Sequence, residues 1–187
     1  WESFQSTINK DLADVLGNFI SRVANFSVSK FGNVIPDTQI YGQLEKETIE
    51  KLEYHYKCLK DLMQNIEIRK SCNALRSIWV TGNEYLQKAA PWSILKENPE
   101  RSKMIIRFSL NLINLYSLVS EPFIPFTCGK IRNHFQFSKV TKWPENLDSF
   151  LNTLGDGHKI CVPDILFQKI TDEERIRYQQ TFSGISP

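Results

Sequence analysis

The chain predicts an all-α fold, a bundle of about five helices followed by a C-terminal tail that is part extended and part helical. Three observations carry this. Apolar residues recur at helical three- and four-residue steps in successive segments between Ile8 and Phe135, and Pro and Gly stand between those segments. A β-branched and apolar mixture arrives only from Lys159 onward. Several helices on short connections bury their stripes by packing as a bundle.

The first helix is the clearest. Ile8, Leu12, Val15, Leu16, Phe19, Ile20, Val23 and Phe26 form one stripe, and Gly32 with Pro36 stops the helix near Phe31. Asn18 and Arg22, four apart, stack on one side of it and flank the stripe. Read by themselves, Arg22 ties down a neighbouring carboxylate and Asn18 is a solvated edge residue, or the two form a polar ledge beside the core.

After a loop over 32–42, Leu44, Leu52, Tyr56, Leu59, Leu62, Met63 and Ile66 describe a second amphipathic helix whose Glu and Lys residues make a solvated face. A third places Cys72, Leu75, Ile78, Trp79, Tyr85 and Leu86 toward the core and must end by Ala90, because Pro91 follows. That puts Trp92 on the lip of a helix end. Asn98 as cap, Pro99 in the first turn and Glu100 at the positive end of the dipole start a fourth helix, running to about Val119. Glu121-Pro122 breaks it, and a fifth spans about Pro125 to Phe135. Beyond Gln136 a helical turn falls around 145–154 and Gly155-Asp156-Gly157 marks a turn. Lys159 to Ile170 reads as extended, interrupted by Pro163, and Thr171 caps a last helix to Phe182. The division expected is 1–154 for the bundle and 155–187 for a tail that packs on the bundle or on a missing catalytic domain.

With 187 residues and 41% hydrophobic, the chain has material for one core. A net charge of +2 gives no whole-protein field for nucleic acid, so any such surface is a local patch. Cys58, Cys72, Cys128 and Cys161 form no CxxC pair and have no histidines at zinc spacing, so no metal site is expected and the thiols read as reduced, mostly buried small hydrophobes. This favours the cytoplasm or an organelle matrix. Arg107, Asn111 and Asn114 interrupt the apolar run near Met104 to Val119, leaving no membrane span. Starting on Trp1 rather than Met, the chain reads as a piece of something larger.

Catalytic constellations are missing. His55, His134 and His158 are scattered, and there is no GxSxG elbow, HExxH, P-loop or GxGxxG. Cys128 and His134, six apart, fall on different sides of a helix. What remains suits recognition. Asn18 both donates and accepts, Arg22 offers a planar fork, and Trp92 offers a flat surface for an unstacked base.

The segment Asn9-Lys10-Asp11-Leu12-Ala13-Asp14-Val15-Leu16-Gly17-Asn18-Phe19-Ile20-Ser21-Arg22 resembles the opening helix of the anticodon-binding domain of methionyl-tRNA synthetases. The resemblance continues through Phe26, Lys30-Phe31-Gly32, Val34 and Pro36. It resumes at Ala74-Leu75-Arg76-Ser77-Ile78-Trp79, Asn83-Glu84-Tyr85-Leu86 and Ala90-Pro91-Trp92, and again at Leu166-Phe167-Gln168-Lys169-Ile170. It implies that Asn18, Arg22 and Trp92 contact a CAU anticodon, with Trp92 stacking on the cytosine and the ledge reading base edges. Arg76 and Lys88 are then candidates for backbone phosphate contacts. The resemblance further implies a monomeric parent enzyme that joins methionine to tRNA using ATP and Mg, and a fragment with no cofactor of its own. The catalytic domain with its HIGH-like and KMSKS-like motifs is missing here, and no appended dimerisation domain is expected after Pro187. Lys10 and Asp14 depart from the small or amide residues usual in the family.

Overall fold

The computed structural model describes residues 1–38, 41–139, 142–155 and 157–184. Three helical stretches run on without a break: α1 (Glu2–Ser6), a π-helical stretch (Thr7–Gly17) and α2 (Asn18–Phe31), the backbone staying helical at both junctions. Gly32 ends the rod at φ 83°, a region that costs a residue with a Cβ and suits glycine. Helices α3 (Gln43–Gln64) and α4 (Ile68–Ala89) form an antiparallel hairpin. After them come a single turn α5 (Pro91–Ile94), the central helix α6 (Pro99–Val119), α7 (Pro125–Phe135), a turn α8 (Leu147–Phe150) and α9 (Asp172–Phe182).

Helix α6 is buried nearly all round from Ile105 to Val119, which is why it sits in the middle with α2, α4, α5 and α7 against it. Its start is as the sequence predicts: the Asn98 side chain accepts from the Arg101 N–H at 3.0 Å. Thr171 caps α9 in the same way, with Glu174 reaching back to the Thr171 N–H at 2.9 Å. Buried amides on α6 fasten the loops. Asn111 accepts from the Leu154 N–H at 3.0 Å and donates to the Leu154 carbonyl at 3.2 Å.

The all-α bundle stands, with four differences of detail. The π-helical stretch breaks the 3.6-residue pattern expected of the first helix. Ile66 is 79% exposed because α3 has already ended at Gln64. Cys72 is exposed, since Ser71, Ala74, Leu75 and Ile78 take the inward stripe; Cys161 is exposed and Cys58 half-buried, so only Cys128 is the buried cysteine expected, and all four are free. The expected extended segment forms no strand among the described residues, only an antiparallel bridge between Val34 and Lys159. The expected turn at Gly155-Asp156-Gly157 and the end at Pro187 include residues outside those described. No helix among the described residues is long and apolar enough to cross a membrane.

Candidate nucleic-acid interface

Trp92 is held out from the bundle by local backbone geometry. Helix α4 terminates at Ala90, whose φ of 40° and ψ of 61° are left-handed, and Pro91 cannot continue it. The reversed chain closes into α5 with the Ser93 N–H donating to the Ala90 carbonyl at 3.0 Å. The buried Ser102 hydroxyl of α6 then donates to the Pro91 carbonyl at 3.0 Å, tying the turn to the central helix. Pro91 is buried and Trp92, next in sequence, remains 40% exposed.

The indole faces α2. The Arg22 guanidinium lies over it, Cζ 4.6 Å from the ring centroid, and Phe26, one turn further along, meets it edge-on at 6.4 Å and 78°. Among the described residues Arg22 has no carboxylate partner and the Asn18 side chain has no hydrogen bond. The reading of Arg22 as the partner of a neighbouring carboxylate is therefore wrong: its charge is stacked and its N–H groups remain free for a ligand.

Helix α2 presents two adjoining stripes. At about 100° per residue, Arg22 and Phe26 lie to one side of Asn18 while Ser21 and Asn25 lie to the other. The first stripe meets Trp92; the second lines a cleft of about 510 Å³ whose far wall is the tail from Val162 to Phe167. Exposed Asn18 sits where they join. The arrangement combines a flat apolar surface, a planar cation and an unengaged amide, which is chemistry for an unstacked base and its polar edges.

The phosphate candidates are placed elsewhere. Arg76 donates from Nε to Asp11 at 2.6 Å, back along the rod within the π-helical stretch. Lys88 lines a groove between α3 and α4 together with Glu47, Lys51 and Glu84. Neither contacts the Trp92 ring, whose partners are Arg22 and Phe26. Three contributors escaped the sequence reading. Phe26 belongs by its spacing to the core stripe, Asn25 repeats Asn18 at seven residues, a spacing that marks it, and the tail wall carries no local signal.

No group of three or more His, Cys, Asp or Glu able to hold a metal ion occurs among the described residues. The Cys128 thiol is pushed up to about 12 by burial, and the His158 ring nitrogen is engaged with the Phe135 carbonyl at 2.7 Å. Neither is set up as a nucleophile or base.

Residues 35–187 match the family described as the anticodon binding domain of methionyl tRNA ligase. Trp92 falls inside that match; Asn18 and Arg22 precede it. A methionine–tRNA ligase of Ruegeria sp. (strain TM1040) is 47% identical over 98% of this chain and 32% of its own length. That of Paracoccus denitrificans is 46% identical over 99% of this chain and 32% of its own length. The chain thus spans about a third of the curated relatives it matches, 32% of each. The apo form of Mycobacterium tuberculosis methionyl-tRNA synthetase aligns with a TM-score of 0.78 over 91% of this chain and 34% of that one, at 16% identity. The same protein bound by methionyl-adenylate gives 0.73 over 89% and 33%, at 18% identity. At such identities the likeness establishes the fold alone.

Proposed function

Because the chain belongs to the family of anticodon-binding domains of methionyl-tRNA ligases, we propose that it reads the CAU anticodon of a methionine tRNA through Trp92, Arg22 and Asn18. The observation that carries this is the Arg22–Trp92 stack at 4.6 Å, a half-exposed aromatic face with a cation whose N–H groups are unspent. Trp92 takes the cytosine ring, Arg22 bonds its edge or the adjoining phosphate, and Asn18 reads the neighbouring base. Stacking accepts any base, so discrimination falls to the directional groups beside it.

The work of the protein as a whole is part of the same reading. Residues 1–154 form the reader and 155–187 a tail laid against it. A catalytic domain outside this chain activates methionine with ATP and Mg and passes it to the tRNA, as a monomeric enzyme of the cytoplasm. Lys88 supplies one backbone contact, and Arg76 supplies another only if tRNA opens the Arg76–Asp11 pair, which lies 48% and 26% exposed and is worth little in water.

Titration of the native protein at low salt with a CAU stem-loop, and with one whose cytosine is replaced, tests the reading. The CAU loop is expected to bind at least about tenfold more tightly, the size of one directional contact, with affinity falling as salt rises. Equal affinities would leave a helical scaffold that binds nucleic acid without reading it.

A further inference from the structure

The tail is stitched to the rod at unusually specific points. The Asn9 side chain donates to the Ile170 carbonyl at 2.9 Å and accepts from the Ile170 N–H at 2.8 Å, the two-bond pattern by which an amide side chain imitates a strand neighbour. Gln5 donates to the same carbonyl at 3.0 Å, and Lys169 pairs with Asp14 at 2.6 Å. Phe167 lies against Gly17, where an added Cβ would stand 3.2 Å from Phe167 Cδ2 and 3.2 Å from the Leu12 carbonyl. Glycine inside a helix costs about 1 kcal/mol against alanine, so this one marks a close approach.

The π-helical winding makes these points line up. Asn9 and Asp14 are five residues apart, and i→i+5 winding stacks them on one face, toward the tail. In an ordinary α-helix they would sit about 140° apart and could not grip one segment together. The stretch ends at Gly17, directly before Asn18. The anchored tail then passes Asn18, Ser21 and Asn25 as the far wall of their cleft.

We propose that Asn9 is a positioning residue for anticodon reading: by clamping the Ile170 backbone to the π-helical stretch it holds Val162 to Phe167 as the second wall of the cleft lined by Asn18, and so confines the base that Asn18 reads. This rests on the reading proposed above and extends it. Trp92 and Arg22 do not line that cleft, so stacking of the cytosine is independent of the clamp. The clamp therefore governs selectivity at the next bases of the anticodon, not the cytosine.

The experiment compares the native protein with Asn9→Ala, Asn9→Asp and Gly17→Ala, using stem-loops that carry CAU or have the cytosine, the adenine or the uracil replaced. Wild type is expected to discriminate at the cytosine and at one of the other two bases. Asn9→Ala loses about tenfold of the latter selectivity, the worth of one confined hydrogen bond, and keeps the former within about twofold. Asn9→Asp, which still accepts from the Ile170 N–H, falls between. Gly17→Ala pushes Phe167 outward with the clamp intact and repeats the Asn9→Ala loss, which guards against a variant that fails to fold. A lowered melting temperature with unchanged selectivity in both alanine variants overturns the proposal, as does a wild type that discriminates at the cytosine alone. A wild type that discriminates nowhere overturns the anticodon reading itself.

Discussion

On the proposed reading, Trp92→Ala is expected to weaken binding of a CAU stem-loop by about 10- to 100-fold, because stacking one base on an aromatic is worth roughly 1–3 kcal/mol and each 1.4 kcal/mol is tenfold. The loss falls on cytosine and altered loops alike in the stacking part, so selectivity shrinks less than affinity. Trp92→Phe keeps a smaller face and stands between the two. Arg22→Lys retains the charge yet loses the planar fork that lies 4.6 Å over the ring, so it behaves as a loss rather than a conservative change. Equilibrium titration at fixed low salt measures all three. Since Trp92 is 40% exposed and its turn is fixed by Pro91 and Ser102, the fold survives its removal, and unchanged thermal unfolding is the control.

Glu45→Ala is expected to cost about 3 kcal/mol of stability, the lower end for breaking a buried ion pair, because Arg101 keeps some contact with water. The Glu45 side chain is fully buried, accepts from Arg101 Nη1 at 2.7 Å and Nη2 at 2.8 Å, and accepts the Tyr85 hydroxyl. Burial pushes the carboxyl up, but the Arg101 and Tyr85 hydrogen bonds outweigh it and hold it below its usual 4.5. A depressed carboxyl stabilises the fold above its unfolded value and loses that contribution as pH falls through the folded one. Urea unfolding at neutral pH reads the full cost, and the gap between wild type and variant should narrow in strongly acid solution. The pair fastens the start of α3 to α4 and α6. Trp92 makes its ring contacts with Arg22 and Phe26 and none with this group, so residual folded Glu45→Ala protein should still select the CAU loop.

The sequence made the helices legible wherever a local signal bounded them. Asn98-Pro99 sets the start of α6, Pro91 the end of α4 and Thr171 with Glu174 the start of α9, each through backbone groups a few residues away. The π-helical stretch was not legible. What accompanies it is a set of bonds from Gln5, Asn9 and Asp14 to the tail, the Asn9 pair reaching across 161 positions, and periodicity in a short window carries no trace of them. The exposure of Cys72 is likewise not legible: its neighbours Ser71 and Ala74 take the buried side, and only packing decides which side a borderline residue takes.

Of the candidate site, the residue types and the turn that delivers Trp92 could be read in advance. The contact between Arg22 and Trp92 and the wall supplied by Val162 to Phe167 needed the tertiary arrangement. Arg76 is a candidate phosphate contact by sequence, yet its guanidinium is paired with Asp11. Asp14 was noted as a departure in charge, and Lys169 answers that charge at 2.6 Å.

The most direct measurement on the central claim separates reading from chemistry in the proposed full-length enzyme, catalytic domain included. Aminoacylation of tRNA and methionine-dependent ATP–pyrophosphate exchange are assayed on wild type and Trp92→Ala. The account predicts that kcat/KM for tRNA falls by about 10- to 100-fold, while exchange is unchanged. Equal loss in both reactions, or loss in neither, contradicts it.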